Sequence, residues 1–139
     1  MANEHVVRDG GYTSYDFTVA DGTGIEKGAV LKLTDPRTAI ITSAAGDKLA
    51  GIAAVEKTAS DGQTRLSVLR NNAVLEATAS GAIAIGQAVI SAGAPANTIM
   101  AARITDSGAA ILGHALETAS DAESIQYWLD VGAGGNQLA

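Results

Sequence analysis

Turn-forming residues recur every 8 to 15 residues along the chain, and this spacing constrains the fold more than any other feature of the sequence. Short runs rich in β-branched residues lie between the turns, as expected for an all-β sandwich or barrel. No stretch of ten or more residues carries a clear apolar stripe of helical period. We therefore predict a mainly β fold with at most short helices. Examples of the turns are Asp21-Gly22-Thr23-Gly24, Asp35-Pro36, Ser60-Asp61-Gly62 and Asp106-Ser107-Gly108.

The composition indicates a core of small aliphatic side chains. Of the 139 residues 47% are hydrophobic, yet only 4% are aromatic. This length suits a single domain that buries its core without covalent crosslinks. The chain has no cysteine, which excludes disulfides, thiolate metal sites and cysteine nucleophiles.

The charge argues against several partners. A net charge of −6, with cations scattered singly, does not suit binding to nucleic acid through its phosphates. The first residues, Met1 to His5, lack the cationic and apolar regions of a secretory signal, so we expect synthesis in a cytoplasm. The long uncharged run from Ala77 to Ala102 is interrupted by glycines and polar residues, which predicts strands and turns rather than a membrane span.

An internal repeat divides the chain into two related β-units, at about residues 24–72 and 81–131. The segment from Gly51 to Asp61 resembles the segment from Gly113 to Asp121, with identical Thr-Ala-Ser-Asp ends if two residues are deleted. We expect each unit to have an apolar face that it cannot bury alone, so that the two pack together or close into a barrel. The repeated glycines at 51 and 113 indicate a bulge, a close backbone approach or a bend at a barrel corner.

The ends of the chain differ from the repeats. Residues 1–20 contain three of the five aromatic rings, Tyr12, Tyr15 and Phe17, and we interpret them as an extended N-terminal arm before a domain at 21–132. Such an arm can add as a strand to a sheet edge of a partner, with the three rings as anchors. The alternative is that the rings cover the open end of the protein's own barrel. Residues 133–139 are predicted to be a flexible tail.

Candidate catalytic residues are few. His114 occupies the place that Ile52 holds in the first repeat, which favours a surface or packing role over that of a base. Glu56 and Glu117 also match between the repeats and could form a carboxylate pair as in a glycosidase, but sugar sites generally need aromatic platforms that this chain lacks. No cofactor loop or metal-ligand spacing is present. We predict that the protein is not an enzyme and holds no cofactor or metal.

Tyr127 and Trp128 are adjacent in an alternating segment, so one ring should point inward and the other outward. The simplest interpretation makes Trp128 a core residue between the two units. The other makes it an anchor of a subunit interface, where tryptophan is favoured.

An ordered set of short motifs resembles the capsid cement or decoration proteins of tailed bacteriophages. The resemblance covers about residues 24–132 and includes no catalytic signature. It rests on five segments: Ile25-Glu26-Lys27-Gly28-Ala29-Val30-Leu31-Lys32-Leu33, Leu49-Ala50-Gly51-Ile52-Ala53, Gly86-Gln87-Ala88-Val89, Ile111-Leu112-Gly113-His114-Ala115-Leu116-Glu117, and a closing strand from Ile125 to Val131.

The resemblance implies a β-barrel or sandwich that oligomerises, commonly as a homotrimer, on the outer surface of a phage head. There it would be a non-enzymatic virion protein that bridges neighbouring major capsid protein subunits. A negative net charge fits this role, because it keeps the protein soluble and away from packaged DNA. The alternative function that we carry forward is a carbohydrate-binding or adhesion β module.

Overall fold

The computed structural model describes residues 2–132, and the predicted tail at 133–139 lies outside the described residues. Nearly all regular structure is β-strand, and the one helix in this range is a single 3₁₀ turn. The mainly β fold is therefore confirmed. The elements in chain order are β1 (Val6–Gly10), β2 (Tyr15–Thr18), β3 (Val30–Asp35), β4 (Thr38–Ile41), β5 (Leu49–Ala53), β6 (Arg65–Leu69), β7 (Asn71–Thr78), β8 (Ala88–Ser91), β9 (Ile99–Ala101), the 3₁₀ helix (Gly108–Ala110), β10 (Ile111–Ala115) and β11 (Ser124–Asp130).

Strands β2 to β6, here called the first unit, close into a five-stranded barrel in the order β2-β4-β3-β5-β6. Closure depends on β2, which pairs antiparallel with β6 and meets β4 in parallel where Thr18 lies opposite Thr38. The barrel interior is filled by a cluster of buried apolar side chains that includes Phe17, Leu31 and Leu66.

Strands β7 to β11, the second unit, form a sheet in the order β7-β11-β10-β8-β9, and β1 adds to its β7 edge as a sixth strand. A parallel bridge between Ala79 and Ile99 links the segment after β7 back to β9. This bridge joins the first and last strands in the order of the second unit, as the parallel pairing of Thr18 with Thr38 joins β2 and β4 in the first unit. Residues 6–10 and 15–18 of the predicted arm are consequently strands of the two units, rather than a free extension.

The two units repeat the same hydrogen bonds. Ile25 and Lys57 exchange both backbone N–H···O bonds in the first unit, and Ile83 and Ala119 do so in the second. Lys57 is therefore equivalent to Ala119. The first unit uses this position for an ammonium group that is fully buried and donates to two backbone carbonyls, whereas the second unit has only a methyl group.

This equivalence corrects the sequence alignment of the repeat. Counting from Lys57 and Ala119, Glu56 corresponds to Thr118 and Glu117 to Val55, so the two glutamates do not match. The two identical Thr-Ala-Ser-Asp segments likewise do not occupy equivalent positions in the two units. The first unit carries its additional residues just before β6, where an exposed turn accommodates a longer loop without disturbing the paired strands.

Gly51 and Gly113 occupy equivalent positions where two backbones come unusually close. A Cβ atom at Gly51 would lie 2.1 Å from the Leu69 carbonyl oxygen, and one at Gly113 would lie 1.8 Å from that of Trp128. The strand pairing slips by one residue beside each glycine, which marks a β-bulge. Glycine is therefore required at both places by close approach together with a bulge.

The units pack against each other through the outer face of the first barrel. Val30, Leu49, Ile52 and Leu69 point away from the barrel interior and belong to the same buried cluster as the interior residues of the second unit. The apolar face that the first unit cannot bury alone is thus covered within the chain.

Candidate interaction surfaces

A buried polar network joins the N-terminal segment to the second unit. The His5 ring is buried, and its Nδ1 lies 2.6 Å from the Tyr127 hydroxyl oxygen while its Nε2 lies 2.8 Å from the Asn97 carbonyl oxygen. The two rings meet edge to face at 80°. Because a carbonyl only accepts, Nε2 must carry the proton, and Nδ1 of the neutral ring then accepts from the Tyr127 hydroxyl.

Burial determines the protonation state of this pair. Desolvation lowers the pKa of His5 to about 4, although the hydrogen bond to the Asn97 carbonyl opposes the shift. Burial also raises the pKa of the Tyr127 hydroxyl. Both side chains are therefore neutral at physiological pH, as expected for titratable groups without a compensating charge.

Asn97 extends the network to the first unit. Its Oδ1 accepts from the Val30 backbone N–H at 3.0 Å, and its Nδ2 donates to the Ala2 carbonyl at 2.9 Å. The His5 backbone N–H donates in turn to the Gly28 carbonyl. The residues before β1 are thus tied to both units. Sequence reasoning missed this network, because a lone histidine in a polar segment carries no periodic signal of burial.

The N-terminal aromatic residues have different environments. Tyr12, in the link between β1 and β2, is 95% exposed, and Tyr15 is partly exposed. Phe17 is 5% exposed and packs inside the first barrel, with the guanidinium groups of Arg37 and Arg70 each 5.8 Å from its ring centre. Phe17 is therefore a core residue and not a contact for a partner. Contact through Tyr12 and Tyr15 stays a prediction.

The second unit has an exposed face that we call the Trp128 face, composed of Val6, Val74, His114, Leu116 and Trp128. Trp128 on β11 pairs directly with Val74 on β7 and with His114 on β10. The neighbouring row of the same strands, which includes Tyr127, points inward and is fully buried. Four of the five side chains are exposed, and Val74 is half-buried.

The interpretation of Trp128 as a core residue is wrong. Its ring is 37% exposed, whereas Tyr127 is 0% exposed and fills the interior of the second unit. Alternation correctly requires one ring on each side of the sheet. The tyrosine is the inner ring because its hydroxyl finds a partner in His5, which removes the cost of burying a polar group.

The candidate catalytic residues are not assembled into a site. His114 is exposed on the Trp128 face, and Glu117 accepts a hydrogen bond from the Gln126 backbone N–H. Glu56 is exposed in the loop after β5 of the first unit. A groove of about 290 Å³ lies between β1 and β5 and is lined by residues other than these three. Within residues 2–132, no three potential ligand side chains cluster closely enough to hold a metal ion.

The sequence predicts strands and turns, rather than a membrane span, for the uncharged run from Ala77 to Ala102. In the part of the chain that the structure describes, no helix has the length and hydropathy needed to cross a bilayer.

Comparison with known proteins gives a similarity of fold. The chain superimposes on the N base of the head fibre gp8.5 of bacteriophage phi29 with a TM-score of 0.53 and 14% sequence identity, covering 85% of this chain and 93% of that one. No protein-family model matches the sequence. No curated protein matches it either. At this level of identity the similarity concerns the arrangement of strands.

Proposed function

We propose that the chain is a non-enzymatic structural protein of a tailed-phage head. It decorates the outer surface of the capsid, bridges neighbouring major capsid protein subunits and acts as an oligomer, for which a homotrimer is predicted. The observation that carries this proposal is the fold shared with the base of a phage head fibre over most of both chains. The sequence motifs that resemble capsid decoration proteins support it independently.

The shape of the molecule suits a decorating role. The two units share one buried apolar cluster, so partner contacts can be presented on the surface of a single body. Several copies held in one oligomer bind a shell cooperatively, because each later contact is intramolecular, with an effective concentration in the mM range. A partner held at ~100 times its Kd stabilises the bound state by ~2.7 kcal/mol, and this gain is repeated at every site on the shell.

The link between β1 and β2 is the proposed capsid contact. Its residue Tyr12 is almost fully exposed, and Tyr15 follows at the start of β2. The link is held at one end by the second unit and at the other by the first barrel. An aromatic ring presented on a short link anchored at both ends loses little conformational entropy on binding.

Binding to heads tests the proposal. Purified protein is mixed with heads of the encoding phage that lack it, and is then followed by co-sedimentation and electron microscopy. Regular outer density between capsid subunits is expected. Replacing both tyrosines, Tyr12→Ala with Tyr15→Ala, should weaken head binding by at least about tenfold, since interface aromatics often contribute more than 1 kcal/mol each. Ile104→Ala, which alters an exposed apolar residue elsewhere, is the control.

The same experiment separates the alternatives. Failure of the wild-type protein to bind heads at micromolar concentration would refute the decoration role. Binding to a glycan array without binding to heads would instead favour the carbohydrate-binding module. Normal head binding by the double tyrosine variant would move the contact away from the β1–β2 link while leaving the decoration role intact.

A further inference from the structure

The repeat places one cross-strand pair at equivalent positions in the two units. Ile52 lies opposite Leu69 in the first unit, and His114 lies opposite Trp128 in the second. Gly51 and Gly113 approach the carbonyls of Leu69 and Trp128 in the same way, which confirms the equivalence. Each pair lies on the outer side of its unit.

These equivalent pairs have opposite environments. Ile52 and Leu69 are buried in the cluster that joins the two units. His114 and Trp128 are exposed, although Trp128 is the largest side chain in the sequence. The two positions at which Ile52 and Leu69 pack the first unit against the second are therefore open in the second unit, whereas Ile111, the equivalent of Leu49, is buried within its own unit.

The Trp128 face also has the chemistry of an interface between copies. Its apolar side chains on β1, β7 and β11 are continued by Leu116 after β10. Glu76 and Gln126 lie on the same face between Val6 and Leu116, and Glu76 pairs with Arg8, so the face carries both signs of charge. Two copies that meet here need not bring like charges together, even though each carries a net charge of −6.

We propose that a second copy of this chain covers the Trp128 face, with Trp128 as the central anchor. Within one chain, Ile52 and Leu69 pack the first unit against the second. The proposed contact uses the equivalent positions, His114 and Trp128, to pack one chain against another. Tryptophan at the centre of an interface, surrounded by a polar rim, is the arrangement that contributes most to affinity. This inference rests on the self-association part of the proposed function and assigns it a surface.

The single tryptophan makes the test direct. Light scattering gives the mass of the wild-type protein from submicromolar to about 100 µM, and quenching of tryptophan fluorescence by acrylamide is measured on the same samples. We expect quenching to fall, and the emission to shift to shorter wavelength, as the oligomer forms.

Leu116→Gln keeps the fluorescent probe and should weaken self-association by at least about tenfold. Val55→Gln is the matched control, because Val55 is an apolar residue of the first unit with similar exposure, 44% against 40% for Leu116. It should leave the oligomer unchanged. Trp128→Gln should also dissociate the oligomer, and its far-ultraviolet circular dichroism shows whether the strands remain folded.

The outcomes separate this inference from the decoration role. An oligomer in which Trp128 stays fully open to acrylamide would overturn the assigned surface and leave self-association standing. A protein that is monomeric at every concentration would overturn both the assigned surface and the proposed self-association. Equal weakening by Leu116→Gln and Val55→Gln would also refute the assigned surface. Head binding by a protein that remains monomeric would retain the decoration role without the proposed contact.

Discussion

Acid should destabilise the protein through His5 between pH 6.5 and 4. The folded state keeps this ring neutral with a pKa of about 4, whereas in the unfolded chain it titrates near 6.5. Between these values the unfolded state binds more protons, so stability falls as the pH falls. The contribution is fully present above pH 6.5 and fully lost below pH 4.

The size of the effect follows from the separation of the two pKa values. One pKa unit corresponds to about 1.36 kcal/mol, so the full loss is about 3 kcal/mol and about 2 kcal/mol is lost between pH 7 and pH 5. This is a large part of the 5–15 kcal/mol that holds an ordinary domain folded. The pKa values of the Asp61 and Asp106 carboxyls are lowered by hydrogen bonds, so their losses occur at more acidic pH.

Urea unfolding at pH 7 and pH 5, followed by far-ultraviolet circular dichroism at one protein concentration, measures the loss. His5→Gln is the decisive variant, because an amide can donate to the Asn97 carbonyl and accept from the Tyr127 hydroxyl without titrating. It should remove most of the difference between the two pH values. Ile104→Ala, at an exposed residue, is the control and should retain it. A wild-type loss below about 0.5 kcal/mol, or an undiminished loss in His5→Gln, would refute the reasoning.

Four further substitutions, with one control, test the packing by chemical denaturation and thermal melting. Gly51→Ala and Gly113→Ala should each cost about 3 kcal/mol or more, because the added methyl overlaps a backbone carbonyl, whereas Gly22→Ala, with open space around it, should stay within about 0.5 kcal/mol. Equal effects at all three glycines would contradict the close approach. Tyr127→Phe should cost about 1–3 kcal/mol by leaving the buried His5 Nδ1 without a donor, and an unchanged melting temperature would disprove that bond. Lys57→Met should cost about 1–3 kcal/mol, because it removes the donor to the Thr58 carbonyl and the ion pair with Asp61, and a neutral or stabilising result would contradict this reasoning.

The sequence alone was sufficient for the class of fold and for the existence of a repeat. Closely spaced turns leave room for short strands only, and the paired glycines at 51 and 113 occupy equivalent positions in the structure. These features are local, since they depend on backbone conformation and on side-chain size. The same local rule places Tyr127 and Trp128 on opposite sides of a strand.

Only the tertiary structure decided which side is buried and which residues meet. Strand alternation shows that neighbouring side chains point to opposite sides, but it does not show which side is buried. Here the inward side carries Tyr127, whose hydroxyl bonds to His5, 122 residues away in sequence. The burial of Phe17 depends in the same way on closure of the barrel by β2. The mismatch of Glu56 and Glu117 follows from strand register, which identical letters do not determine. Such pairings join distant segments through packing and shared polar contacts, and no window of neighbouring residues contains both partners.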